Sequence, residues 1–225
     1  MEKGFLTSNQ LQTCCSCSLH AVARKNVCVP TEVLSVLPSR PILLFLGMNP
    51  GHNEDVENRP FSPNGKSGRL LREVLIPGPS LHLAGTLVLM NVARCLSGPK
   101  PPTHSQYDTC FRSFSSREIE GFCLSGLRLL AICLGADVTS ALHRRFTGRS
   151  LSMRSAFSSP LRTYTTPSGK TFQALSTYHP AGILRQRRLI HAARDHLILA
   201  RDWAHSIVAT PSTPTIVPPY PPPPD

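Results

Sequence analysis

Three short apolar runs constrain this chain more than any other feature. Ile42-Leu-Leu-Phe-Leu-Gly47, Thr86-Leu-Val-Leu-Met-Asn91 and Leu129-Leu-Ala-Ile-Cys-Leu-Gly135 are too short for core helices, and none alternates polar with apolar residues. Runs of this kind are strands buried on both faces, the habit of parallel sheets covered by helices. A fourth, more polar candidate is Phe172-Gln-Ala-Leu-Ser-Thr-Tyr178. Helical text lies around them at 67–75, 106–127 and 136–145, and Leu189, Ala193, Leu197 and Ala200 recur at helical spacing near the end. The alternation predicts an α/β fold: three α/β/α layers around a central, mainly parallel four-stranded sheet. In such folds the chemistry gathers beyond the carboxyl ends of the strands. Those ends carry Gly47-Met48-Asn49-Pro50-Gly51, Asn91 and His179-Pro180.

Composition narrows the class. A hydrophobic share of 40% over 225 residues is enough for a core and excludes a wholly disordered chain. No apolar run approaches the roughly 18 to 20 residues that span a bilayer, and the opening Met1-Glu-Lys-Gly-Phe-Leu-Thr7 lacks a secretory signal. An intracellular protein without membrane association is expected, cytoplasmic in a prokaryote or an infected cell and nuclear in a eukaryote. The 24 Lys and Arg against 13 Asp and Glu leave a net +11, which favours a polyanionic partner but also serves solubility alone. From Ser206 the text changes to a proline-rich tail, giving an expected division into a domain over 1–205 and a disordered or polyproline II segment over 206–225. The tail would suit a proline-recognising domain or serve passively.

Eight cysteines without a secretion signal point away from a disulfide framework. Cys123 and Cys133 lie in apolar text and read as small core residues. Cys14 and Cys17 form a C-x-x-C, while Cys95 and Cys110 flank a turn-rich stretch that could bring them to the first pair. Four such thiolates suit either zinc or an iron–sulfur cluster. Cys15 competes with Cys14 for a place in the set, and Cys28 is a spare ligand or a free thiol.

Taken in order, the segments Gly47-Met-Asn-Pro-Gly-His-Asn-Glu-Asp55 through Arg59-Pro-Phe61 and Gly65-Lys-Ser-Gly-Arg69, then Asn91-Val-Ala-Arg-Cys95, then Thr177-Tyr-His-Pro-Ala-Gly-Ile-Leu-Arg185, resemble the motifs of the uracil-DNA glycosylase superfamily. Their order, with the four placed cysteines, is similar to the iron–sulfur branch called family 4. The first motif departs from it: family 4 reads G-E-A-P-G, whereas Gly47-Met-Asn-Pro-Gly51 is similar to the single-strand-selective and mismatch-specific branches. The loop from Phe61 to Gly68 is also slightly longer than the family 4 pattern.

The resemblance implies a DNA glycosylase that removes uracil or a related pyrimidine in base excision repair, acting as a monomer on DNA with a flipped-out base. Breaking the C1′–N bond requires an extruded nucleotide, a stabilised negative charge at O2 and a water at C1′. Asn49 would orient the water, and His179 would donate to O2 from a neutral imidazole. Asn91 presents one acceptor and one donor, matching N3–H and O4 of uracil and mismatching cytosine. Gly47 and Met48 would border the base and Phe61 would stack on it. Leu184 with Arg185, Arg187 and Arg188 reads as an apolar wedge among phosphate-binding cations, with Lys66 and Arg69 adding contacts near a helix start. The cluster, 4Fe–4S on the family pattern with zinc as the alternative, would be held by Cys14, Cys17, Cys95 and Cys110 as a structural tether.

Each residue also has a plainer reading. Asn49 before Pro50-Gly51 suits a turn, His179 before Pro180 a strand end, and Phe61 the core. Glu54 and Asp55 compete as water activators or as loop caps. A non-catalytic DNA-binding protein that keeps the glycosylase fold is the alternative function.

Overall fold

Residues 14–23, 28–159 and 161–208 are described by a computed structural model. The three apolar runs are strands β2 (Ile42–Gly47), β3 (Thr86–Asn91) and β4 (Leu129–Leu134), each buried along its entire length. The fourth candidate is β6 (Thr171–Thr177). All four run parallel, β2 pairing with β3 on one side and β4 on the other, and β4 with β6.

The sheet nevertheless has six strands rather than the expected four, in the order β1-β3-β2-β4-β6-β5, and it is mixed. The additions are β1 (Glu32–Ser35), antiparallel to β3, and β5 (Leu161–Thr165), antiparallel to β6. Both are edge strands covered on fewer sides, so their text is short or polar and lacks the apolar run that marks the centre. The β5–β6 hairpin turns through Pro167-Ser168-Gly169, where Gly169 has a positive φ.

Alternate residues of the central strands feed two separate cores. Leu44, Leu46, Val88, Met90, Ala131 and Cys133 face one layer of helices, while Leu43, Phe45, Leu87, Leu89, Leu130 and Ile132 face the other. The first layer holds α4 (His104–Cys110), α5 (Ser116–Leu124) and α6 (Ala136–Thr147). A π-helical turn, Phe111–Ser115, joins α4 to α5, so the single helix expected over 106–127 begins at His104 and ends at Leu124. Thr103 sets that start by accepting from the Gln106 N–H.

The other layer holds α2 (Lys66–Leu70), which continues through a π-helical turn to Leu75, the short α3 (Leu81–Ala84) and the long α9 (Leu189–Val208). Three more short helices, α1 (His52–Glu57), α7 (Met153–Ser158) and α8 (Pro180–Arg185), and a 3₁₀ turn over Ser18–Ala21 complete the described elements. Because the first proline of the tail is Pro211, α9 carries on past Ser206. The rest of the proline-rich segment, with any partner for it, lies outside the described residues. No helix among the described residues is long and apolar enough to cross a membrane.

Candidate active site

Strands β2, β3 and β6 end at the same edge of the sheet, which brings distant sequence positions together. Asn49, Asn91, Phe61 and His179 line one cavity of about 600 Å³, along with Glu54, Ser67 and Pro99. Gly47 forms its floor by default: a Cβ there would stand 2.3 Å from Asn91 Oδ1 and 2.5 Å from Phe61 Cζ. Any side chain at 47 would displace both residues. Met48 is half-buried and packs towards the α4–α6 core, away from this cavity.

His179 is the N-cap of α8. Its Nδ1 accepts the Ala181 N–H at 3.1 Å, so the ring proton of the neutral imidazole sits on Nε2. Burial, reinforced by the Arg185 guanidinium, holds the pKa down at about 4 despite the opposing Asp137 carboxylate. The imidazole is therefore a neutral donor at physiological pH. Its ring lies 6.2 Å from that of Phe61.

Glu54 organises the opposite wall. It accepts from the Gly51 N–H, the Phe61 N–H and Asn91 Nδ2, the last at 3.2 Å. Of the readings open to it in the sequence, the structure favours a cap, because Glu54 reaches back to accept the Gly51 N–H at the start of α1. Asp55, by contrast, is fully buried below the site and does not line the cavity. Burial raises the Glu54 carboxyl above the ordinary range, and its three donors oppose that rise. Facing a carboxylate, Asn91 must turn its Nδ2 towards Glu54, which sets the amide's orientation. Asn49 donates through Nδ2 to the Pro50 carbonyl at 3.0 Å and to Ser97 Oγ at 3.2 Å, leaving Oδ1 as an acceptor.

Phe61 has φ +48°, a left-handed conformation costly for an aromatic residue. Two contacts hold it there: Glu54 takes its N–H, and Arg72 Nε donates to its carbonyl at 2.6 Å. Arg72 also pairs with Glu32 of β1, which binds Arg59 as well. The core and stacking readings of Phe61 are thus compatible, since its ring is only 3% exposed yet borders the cavity. Arg72 and Ser97 were not marked by any motif; their partners lie far along the chain, and only the fold pairs them.

The expected DNA-contacting residues lie at the rim. α2 packs beside α8, and Lys66, Arg69, Leu184, Arg185, Arg187 and Arg188 are all exposed there. Leu184 is 41% exposed at the end of α8.

The cysteine set also converges. Cys14, Cys17, Cys28, Cys95 and Cys110 line one small cavity, whereas Cys15 is exposed and does not. The Cys28 N–H donates to Cys95 Sγ and the Arg94 N–H to Cys110 Sγ, both at 3.3 Å. No group of three or more His, Cys, Asp or Glu among the described residues is gathered as a single-ion site. The donor chemistry, soft sulfur with backbone N–H partners, fits zinc or an iron–sulfur group.

The strand ends of the parallel-centred sheet thus carry a largely apolar pocket edged by a few polar side chains, with exposed Lys and Arg on the neighbouring helices. The chain matches the Uracil DNA glycosylase superfamily over residues 34–202, and it belongs to that superfamily, whose members are DNA glycosylases of the hydrolase class. No curated protein matches it.

Proposed function

We propose that this protein hydrolyses the N-glycosidic bond of uracil, or of a closely related pyrimidine, in DNA and leaves an abasic site. One observation carries the reading: a neutral imidazole whose proton is held on Nε2 shares a cavity with two amides of set orientation. As the glycosidic bond breaks, charge develops on the departing base at O2. A preorganised neutral donor in a water-poor site stabilises that charge without exchanging a proton with solvent. His179 fills that role.

Asn91 keeps one N–H on Glu54 and offers the other, with Oδ1, to the base. Its acceptor meets N3–H and its donor meets O4 of uracil, while cytosine presents the reverse pattern. Asn49 Oδ1 accepts a hydrogen bond from the attacking water and so aims the water's lone pair at C1′. Phe61, braced from both sides, stacks against the ring. Leu184 fills the space left in the duplex while Arg185, Arg187, Arg188, Lys66 and Arg69 hold phosphates.

Cys14, Cys17, Cys95 and Cys110 would hold a 4Fe–4S cluster, with Cys28 beside them. Zinc is the alternative, since four thiolates suit either metal. Bound there, the group supplies a cross-link between the N-terminal segment and the region after β3. The absorption spectrum of protein purified without oxygen, with its iron content, distinguishes the two metals.

The activity is tested on single- and double-stranded oligonucleotides carrying uracil, 5-hydroxymethyluracil, hypoxanthine or mismatched thymine, followed by alkaline cleavage of abasic sites. Strand scission at uracil is expected. Binding with every strand left intact would overturn the enzymatic reading and leave a non-catalytic DNA-binding protein.

A further inference from the structure

A second cavity, about 250 Å³, opens on the other side of the loops that wall the first. Met48 lines it while Asn49 lines the first, and Pro101, Pro102 and Thr103 line it while Leu96, Gly98 and Pro99 line the first. The two therefore lie back to back across the β2 and β3 loops. Lys100, exposed, sits in the chain between Pro99 of one and Pro101 of the other.

The walls are of two kinds. Pro101, Pro102 and Met48 give apolar surface, and the α4 and α6 helices give polar groups. Arg144 is held in place by two acceptors, His104 Nδ1 at 3.2 Å and Ser140 Oγ at 3.3 Å, which leaves most of its five N–H donors uncommitted. Tyr107 is 5% exposed, and its hydroxyl has no hydrogen-bond partner among the described residues. A buried hydroxyl without a partner is costly, and a ligand's polar edge would recover that cost. Asp137 adds a carboxylate acceptor, close enough to influence both Tyr107 here and His179 in the first cavity.

We propose that this second cavity receives the unstacked base of a nucleotide neighbouring the excised one on the same strand. The inference rests on the DNA glycosylase reading and extends it from one base to two. A flat heterocycle matches an apolar slot with hydrogen-bonding groups at its edge, and the size admits a single ring system. Lys100, on the ridge between the cavities, meets the phosphate that links the two nucleotides, and Arg144 meets the next one. Such a site draws on a strand whose bases are already free of partners, so it favours single-stranded or locally opened DNA.

The test uses single-stranded oligonucleotides with an abasic analogue at the target position and one 2-aminopurine at each neighbouring position in turn. Unstacking brightens this base. Full-length protein is expected to raise the fluorescence at one neighbouring position. Ser140→Phe, which fills the cavity, and Arg144→Ala should abolish that rise and weaken binding roughly tenfold, within the worth of one stacked base. Tyr107→Phe, which keeps the shape, should reduce the rise and guards against variants that do not fold.

No rise at any position, or a rise unchanged in folded Ser140→Phe and Arg144→Ala protein, overturns the inference. Uracil release by the natural protein from strands of the same sequence with uracil in place of the abasic analogue separates the two readings. Release without a fluorescence response removes the second site and leaves the glycosylase standing; absence of both removes both.

Discussion

At the scale of single residues, the site depends on protons and amides whose orientation is set by their neighbours. His179→Ala is expected to lower kcat about 10²–10³-fold, the usual loss for one preorganised donor, read as uracil release under single-turnover conditions. Because burial and Arg185 hold its pKa at about 4, the rate should show no inflection near pH 6.5, where an ordinary histidine titrates. Stability carries the opposite face of the same shift. Between about pH 6.5 and 4 the unfolded chain takes up a proton at this ring that the folded protein refuses, so stability falls as pH drops through that window by about 2–3 kcal/mol. Urea titrations of the natural protein and of His179→Gln, compared across that range, measure it. Glu54→Gln should relax the Asn91 amide, because an amide at 54 no longer dictates which end of Asn91 faces it. The expected result is a rise in KM for uracil and a narrower margin against cytosine in matched oligonucleotides.

At the scale of elements, the central strands were legible because residues buried on two faces leave no polar alternation, and their ends then marked Asn49, Asn91 and His179. The edge strands were not. β1 reads Glu-Val-Leu-Ser and β5 reads Leu-Arg-Thr-Tyr-Thr, patterns that loops share. That gap hid part of the site, since Glu32 of β1 anchors Arg72, which in turn holds the Phe61 carbonyl. The left-handed turn at Phe61 was equally silent, because φ is set by what surrounds a residue rather than by its type. Glu32→Gln is therefore expected to loosen a residue that it does not touch. KM should rise several-fold, and the thermal midpoint should fall as well, because the largely buried Arg72 loses its counter-charge. Parallel kinetics and melting curves of that variant check both halves.

At the scale of the molecule, one buried arginine ties the thiol region to α5 and to the segment that leads into β1. Arg94 is fully buried. It binds Glu118 at 2.7 Å and Thr31 at 2.8 Å through its side chain, and its backbone N–H meets Cys110 Sγ. Glu118→Gln leaves that guanidinium without its counter-charge and should cost about 3 kcal/mol or more, measured by chemical denaturation. The net +11 with its basic rim predicts DNA affinity that falls steeply with salt, and Arg185→Ala should flatten the slope of log affinity against log salt by about one.

The imidazole that caps α8 has a further consequence. The His179 ring and the start of α8 share a hydrogen bond, so a substitution that shifts that helix also releases Nδ1, and with it the hold on which ring nitrogen carries the proton.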